Sequence, residues 1–293
     1  METALVEQVR SFNRTVTERV GALHDHFLGR DHPLGEARLL WEIGTQGARV
    51  RELRSRLGLD SAYLSRLLRS LEGQGLVEVR KSEQDGRVRR VQLTEAGLRE
   101  RAELDRRADA FARSLLAPLN GGQRAKLAAA MAEVERLLTA SMVKIAVTDP
   151  ASPDARWCIE QYFAELNQRF EAGFDPALGI SAHPHELTPP NGLLLVARLR
   201  EEPVGCGALK FHPNAPAELK RMWVAPQARG LGLGRRLLQE LEQHAREAGV
   251  TVLHLETNRS LVEAITLYRR SGYQEVAPFN DEPYAHHWFE KRL

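Results

Sequence analysis

Residues 218–238 (ELKRMWVAPQARGLGLGRRLL) restrict this chain more than any other stretch. A strand-like run reaches Val224, glycines follow at 230, 232 and 234, and a helical pattern starts at once. Glycines at alternate positions let backbone amides approach an anion with no Cβ in the way, and the helix N-terminus adds positive potential. Arg229 and Arg235 flank the bend and suit further phosphate oxygens. The turn therefore predicts a phosphate-bearing ligand. A nucleotide P-loop asks for Gly-Lys-Ser/Thr, whereas Gly234 is followed by Arg235 and Arg236. A dinucleotide fingerprint asks for a third glycine where Arg235 or Leu237 stands.

A chain of 293 residues is long enough for two domains, each with its own core. Its net charge of +2 is unevenly spread. Residues 1–145 hold 25 Lys and Arg against 20 Asp and Glu, and residues 146–293 hold 16 against 19. Within 49–90 the balance is 11 against 6, so that one segment accounts for the basic excess of the first half. It leans towards a polyanion. Two cysteines, Cys158 and Cys206, exclude a disulfide framework and a zinc ribbon and suit a reducing compartment. The opening METALVEQVR lacks the apolar core of a signal peptide, and no apolar run approaches membrane-spanning length. A cytoplasmic protein is expected.

Helical periodicity predicts a helix over 1–28, with Leu5, Val9, Phe12, Val16, Val20 and Leu23 on one face. Short helices follow over 35–46 and 50–57, and a fourth from Asp60 or Ser61 to Gln74. Strands LVEVRKS and RVRRVQLT then flank the turn dipeptide Asp85 and Gly86. Helices over 95–117 and 123–142 close the first half. The Pro-rich segment 148–153 (TDPASP) is the expected boundary, giving domains 1–147 and 148–293. Beyond it come a helix over 154–172 and strands over 193–200, 204–212 and 217–224. A helix over 232–248, a strand over 251–257, a helix over 260–270 and a strand over 283–292 complete an α+β pattern.

The third and fourth helices have helix-turn-helix spacing. Leu64, Leu67, Leu68 and Leu71 form the buried stripe of the fourth, leaving Ser61, Ser65, Arg66 and Arg69 free for base edges and phosphates in a major groove. The hairpin packs Arg80, Lys81, Arg87, Arg89 and Arg90 into about twelve residues, a density that suits a phosphate backbone or a narrow minor groove. This order of elements, with the pieces "LSRLLRSLEGQGLVEVR" and "DGRVRRVQLTEAG", resembles the multiple-antibiotic-resistance regulator (MarR) family over residues 1–142. The resemblance implies a mainly-α winged helix-turn-helix domain. It also implies a homodimer built from the first and last helices, with Asp85 orienting an arginine and Arg87 reaching double-stranded DNA. The apolar stripes on the terminal helices agree with a dimer.

The turn segment 227–232 (QARGLG), the strand end at Thr257 and Asn258 and the later "AITLYRRSGYQEV" resemble the GNAT superfamily of N-acetyltransferases over residues 150–293. The resemblance implies a mixed-sheet α+β acyltransferase fold and acetyl-CoA as cosubstrate. Arg229, Gly230, Leu231, Gly232, Leu233, Gly234 and Arg235 would then hold the pyrophosphate. Met222, Trp223 and Val224 would line the pantetheine arm, with Met222 and Val224 pairing through their main chain. Asn258 and Ala264 complete the cofactor contacts. Tyr268 falls where the family keeps its general acid. Glu218, on the preceding strand, is a candidate general base. An amide near Val224 would polarise the thioester carbonyl.

The tail FNDEPYAHHWFEKRL is expected to line the acceptor cleft through Asn280, Tyr284 and His286, and Arg169 and Phe170 are expected to face the same space from a helix. His286 and His287 are strand neighbours and point to opposite faces, so no metal site is assigned. The expected function is bifunctional: a DNA-binding transcriptional regulator and an N-acetyltransferase acting on a primary amine of a small molecule or amino acid. A sensor that binds acetyl-CoA or an amine without turnover, and a protein-lysine acetyltransferase, stay open as alternatives.

Overall fold

The structure, a computed structural model, describes residues 2–22, 26–81, 88–180, 182–213 and 215–293. Contacts divide the chain into two units, Met1–Ala128 and Ala129–Leu293. The division falls inside the last helix of the first half, ahead of the expected cut at 147/148. One reason lies in a short strand at 144–147, which pairs with the second unit's sheet.

In the first unit, α1 (Glu2–Arg19) ends near Gly21, whose φ of 66° suits a residue without Cβ. The helix therefore stops well short of 28, and Leu23 lies outside the described residues. No residue of α1 is buried. Next come α2 (Leu34–Ile43), the two-residue β1 (Ala48–Arg49) and α3 (Val50–Leu57), which closes on Gly58 at φ 63°. Asp60 caps α4 (Ser61–Gly73) by accepting the Tyr63 amide at 2.8 Å. The strands β2 (Val77–Lys81) and β3 (Arg89–Leu93) pair antiparallel, and β1 adds to the far side of β3. Thr94 caps α5 (Glu95–Leu116), and α6 (Gly121–Ser141) follows. Leu39, Leu40, Leu53, Leu64, Leu68, Leu71 and Val91 pack as the core of this unit.

The second unit is a seven-stranded mixed sheet. Its strands are β4 (Lys144–Val147), β5 (Gly192–Leu199), β6 (Glu202–Lys210), β7 (Ala217–Val224), β8 (Val252–Thr257), β9 (Gln274–Val276) and β10 (His287–Arg292). They lie in the order β4-β5-β6-β7-β8-β10-β9. The helix α7 (Pro153–Arg169) packs on β5, β6 and β7, α8 (Leu233–Glu247) follows the glycine turn, and α9 (Val262–Arg270) follows β8. The last strand starts at His287, later than its pattern suggests, because residues 282–285 form a turn closed by the Ala285 amide on Glu282 O. The strands β1, β4 and β9 are too short to leave an alternating signature.

Two features of this sheet make the site. The parallel pair β7 and β8 is in register only at Ala217 with Leu253 and Glu218 with His254, so the strands part beyond those pairs. The register of β6 against β7 also slips between Cys206 and Ala208, which puts Arg221 at φ 56° on a bulge of β7.

Candidate functional site

In the first unit, Leu64, Leu67, Leu68 and Leu71 turn α4 inward, and Ser61, Arg66 and Arg69 are exposed on its other side, with Ser65 half-buried. The Arg66 guanidinium lies 5.4 Å from the Tyr63 ring centre, and Arg69 Nε donates to Ser65 O at 3.2 Å. In the hairpin, Lys81 stands opposite Arg89 and Arg80 opposite Arg90. Like charges directly across a strand pair are unfavourable on their own, and an external polyanion removes that cost. Arg80 partly offsets it by pairing with Glu78 at 2.5 Å. Asp85 and Arg87 lie outside the described residues.

In the second unit, a cleft of about 660 Å³ opens at the glycine turn. Met222, Trp223 and Val224 of β7, Arg229, Gly230, Gly232, Leu233, Gly234 and Arg235 of the turn, and Ala264 of α9 line it. Leu231 is half-buried and packs against the core instead. Gly232 is the N-cap of α8 at φ 73°, a conformation that costs a residue with Cβ. Beyond it the first amides of α8 have no intrahelical partner. Arg235 is exposed at this end. Arg236 is committed elsewhere: its guanidinium donates to Ala140 O at 2.7 Å and Val143 O at 3.0 Å, closing the end of α6. Glu165 of α7 fixes the opposite wall by accepting from Trp223 Nε1 at 2.8 Å, Arg229 at 2.5 Å and Arg169 at 3.2 Å. Arg169 therefore sits on this cleft, where it also donates to Ser260 O and Glu263.

A second, smaller pocket of about 100 Å³ has walls of Phe163, Phe170, Phe174 and Tyr284, with Lys220, Arg221 and Glu256 among its polar lining. Tyr162, Leu166 and Leu261 line both cavities, so the two adjoin there. Tyr284, expected on the acceptor cleft, lines this smaller pocket. Asn258 lies on this pocket rather than on the cleft, with Nδ2 donating to Tyr284 O at 2.8 Å. Asn280 accepts from Trp288 Nε1 at 2.8 Å and His286 is exposed, and neither lines either cavity.

Glu218 also lines neither cavity. It is held by Lys220 and His212, each at 2.8 Å. Burial alone would raise its carboxyl, but the Lys220 ammonium outweighs that and holds it below the usual range. The Lys220 ammonium, itself penalised by burial, is held above its ordinary value by Glu256 and Glu218. Glu256 Oε1 accepts from Lys220, and its buried Oε2 has no hydrogen-bond partner among the described residues. Sequence reading missed Glu256 and Tyr162. The signal for Glu256 was its position two residues before Asn258 on the strand that parts from β7. Tyr268 is buried in α9, with its ring centre 5.8 Å from that of Tyr273 and 6.1 Å from that of Phe289, and it lines neither cavity although its neighbour Leu267 lines the cleft. Burial first, then Tyr162 and Glu256 nearby, push its hydroxyl well above the usual tyrosine range. It keeps its proton at neutral pH.

Residues 158–273 match the model of the acetyltransferase (GNAT) family, and residues 31–88 match that of the MarR family. An IAA acetyltransferase of Azospirillum brasilense is 43% identical over 100 residues, or 34% of this chain and 64% of that protein. The chain thus spans under two thirds of that relative's length. The N-alpha-acetyltransferase RimI of Mycobacterium tuberculosis is 32% identical over 47% of this chain and 84% of its own length. Among solved structures, a GNAT-family acetyltransferase from Staphylococcus aureus aligns with a TM-score of 0.44 at 18% identity, over 52% of this chain and 99% of that one.

Proposed function

The chain belongs to the GNAT acetyltransferase family, and we propose that its second unit moves an acetyl group from acetyl-CoA to a primary amine of a small molecule or amino acid. The first unit, matched by the MarR family's model, binds double-stranded DNA as a homodimer and regulates transcription. One observation carries the enzymatic reading: the glycine-turn cleft and the Glu256 pocket adjoin at Tyr162, Leu166 and Leu261. A thioester held along β7 then ends beside an amine seated on Glu256.

The chemistry follows from these groups. The pyrophosphate sits against the amides of the turn at Gly230 and Gly232 and the start of α8, with Arg235 at hand. The pantetheine arm takes the place of a strand beside Met222 and Val224, where β8 has moved away. The amine nitrogen attacks the acetyl carbon while an amide near Val224 stabilises the oxyanion. The C–N bond forms, the C–S bond breaks, the amine proton passes to Glu256 Oε2, and the thiolate takes the Tyr268 proton. Lys220 holds the Glu256 carboxylate in place. Glu218 sits one step behind, where it steadies Lys220.

For the first unit, α4 with Ser61, Ser65, Arg66 and Arg69 enters a major groove, and Lys81 and Arg89 lie on phosphates. The helix α1 leaves Leu5 64% and Val9 57% exposed, a stripe that a second copy of the chain covers. Calorimetry with acetyl-CoA, followed by thiol-release assays over an amine panel, tests the enzymatic reading. No heat on titration overturns it.

A further inference from the structure

We infer that Arg136 of α6 is a positioning residue of the cofactor turn: it fixes the peptide between Gly230 and Leu231 so that its amide meets the pyrophosphate of acetyl-CoA. This rests on the acetyl-CoA reading above. Gly230 lines the cleft at φ 78°. A Cβ there would meet nothing within 4 Å among the described residues, so packing does not decide which way the next peptide turns. Glycine's conformational freedom lets that peptide swing. A hydrogen bond decides it: Arg136 Nη1 donates to Gly230 O at 3.0 Å. The peptide is trans, so its carbonyl and its amide point opposite ways. With the carbonyl held by α6, the Leu231 amide faces away from that helix, where a phosphate oxygen on the turn's other side can take it.

The guanidinium is itself aimed. Its Nε and Nη2 donate to Glu133 Oε2 at 2.8 Å and Oε1 at 2.5 Å, one turn earlier on α6. This fork occupies one edge of the group and leaves Nη1 for Gly230 O. The platform is fixed too, because Arg236 of α8 donates to Ala140 O and Val143 O at the end of α6. Arg136 and Glu133 are 40% and 54% exposed, and an exposed pair of this kind adds little to stability. Nor is the pair built to attract an anion, since the Glu133 carboxylate cancels the charge of its partner. Orientation of the turn is the use that remains. Arg136 lies outside residues 158–273, so the segment that matches the GNAT family's model does not contain it.

The full-length protein is titrated calorimetrically with acetyl-CoA, and with S-acetylpantetheine, which keeps the thioester and lacks the diphosphate. Arg136→Ala is expected to raise the Kd of acetyl-CoA about 5–10-fold, most of one charge-assisted hydrogen bond. The same variant is expected to bind S-acetylpantetheine like the parent and to melt within about 2 °C of it, because the pair is exposed. Glu133→Gln separates aiming from attraction, since it unclamps the guanidinium and removes a negative charge at once. Aiming predicts acetyl-CoA bound about 2–5-fold more weakly, whereas attraction alone predicts tighter binding. Unchanged acetyl-CoA affinity in Arg136→Ala, an equal loss for both thioesters, or tighter binding in Glu133→Gln overturns the inference. A parent that gives no heat with acetyl-CoA brings down the transfer reading and this inference together. If acetyl-CoA binds in an Arg136-dependent way and no amine is acetylated, the transfer reading falls and the positioning role stands.

Discussion

The ammonium of Lys220 pairs with the carboxylate of Glu256 on the smaller pocket, and each side chain is only 9% exposed. Neither charge is stable at that depth alone. The pair occupies Glu256 Oε1 and leaves Oε2 without a hydrogen-bond partner among the described residues. Lys220→Met strands two buried carboxylates, Glu256 and Glu218, and is expected to cost about 3–5 kcal/mol of stability. Native stability from this cluster has two limits. Lys220, raised in the fold, contributes fully below its ordinary value near 10.5 and loses that contribution as pH rises through the higher folded value. Glu218, depressed in the fold, contributes above the ordinary carboxyl value near 4.5 and loses it as pH falls through the lower folded value. Thermal melts of parent and variant between pH 3 and 11 check this: the gap is widest across the middle and narrows at both ends.

Glu256→Gln is expected to lower kcat by about 100-fold or more, because it removes the group that takes the amine proton. Tyr268→Phe is expected to lower kcat by a similar order while the KM for acetyl-CoA stays within about twofold. Tyr162→Phe, at the junction of the two cavities, serves as the comparison. A larger loss in Tyr162→Phe than in Tyr268→Phe moves the acid role to Tyr162.

A Cβ at Gly234 meets only Leu267 at 3.5 Å and Val224 at 3.8 Å, which is ordinary contact. Gly234→Ala is therefore expected to melt within about 1–2 °C of the parent and yet bind acetyl-CoA about tenfold more weakly, because the methyl group faces the anion. Gly232→Val differs: its left-handed backbone makes it unstable by about 1–2 kcal/mol as well. Unchanged affinity in Gly234→Ala removes the turn from the pyrophosphate.

The sequence made the long elements legible where period and caps agreed. Ala217–Val224 is the clearest case, since the expected strand and the observed one coincide. Asp60 at the start of α4 and the four leucines of that helix were readable for the same reason: each acts through its immediate chain neighbours. The site was legible where it is local, at the turn, and not where it depends on pairing across the sheet. Glu218 and Glu256 lie on adjacent strands, β7 and β8, and the sequence gives no sign that only Glu256 lines the smaller pocket, where the two strands part. The left-handed Arg221 had no sequence signal, because a bulge is fixed by register with the neighbouring strand.

Replacing Leu5 and Val9 together by Glu puts charge into the exposed stripe of α1. Since no residue of α1 is buried within its own chain, the double variant is expected to keep the parent's circular dichroism. Light scattering is expected to read about 66 kDa for the parent dimer, twice the 32.9 kDa chain, and about half that for the variant. A parent that scatters as a monomer at micromolar concentration ends the dimer reading.

The cross-strand pair of Lys81 and Arg89 gives a quantitative test of DNA binding. Each cation laid on a phosphate contributes about 0.9 to the slope of log K against log salt. In a dimer, Lys81→Ala with Arg89→Ala removes four such contacts, so the slope is expected to fall by about 3–4. Because the two charges face each other across β2 and β3, their removal also relieves repulsion, and the variant is expected to melt no lower than the parent. Arg66→Ala and Arg69→Ala on α4 act differently, flattening discrimination between sequences by about 1–3 kcal/mol per lost base contact. Fluorescence anisotropy with duplexes at 50–300 mM salt separates the two effects. A double variant in the hairpin that binds with the parent's salt slope shows that the strand cations do not touch the backbone.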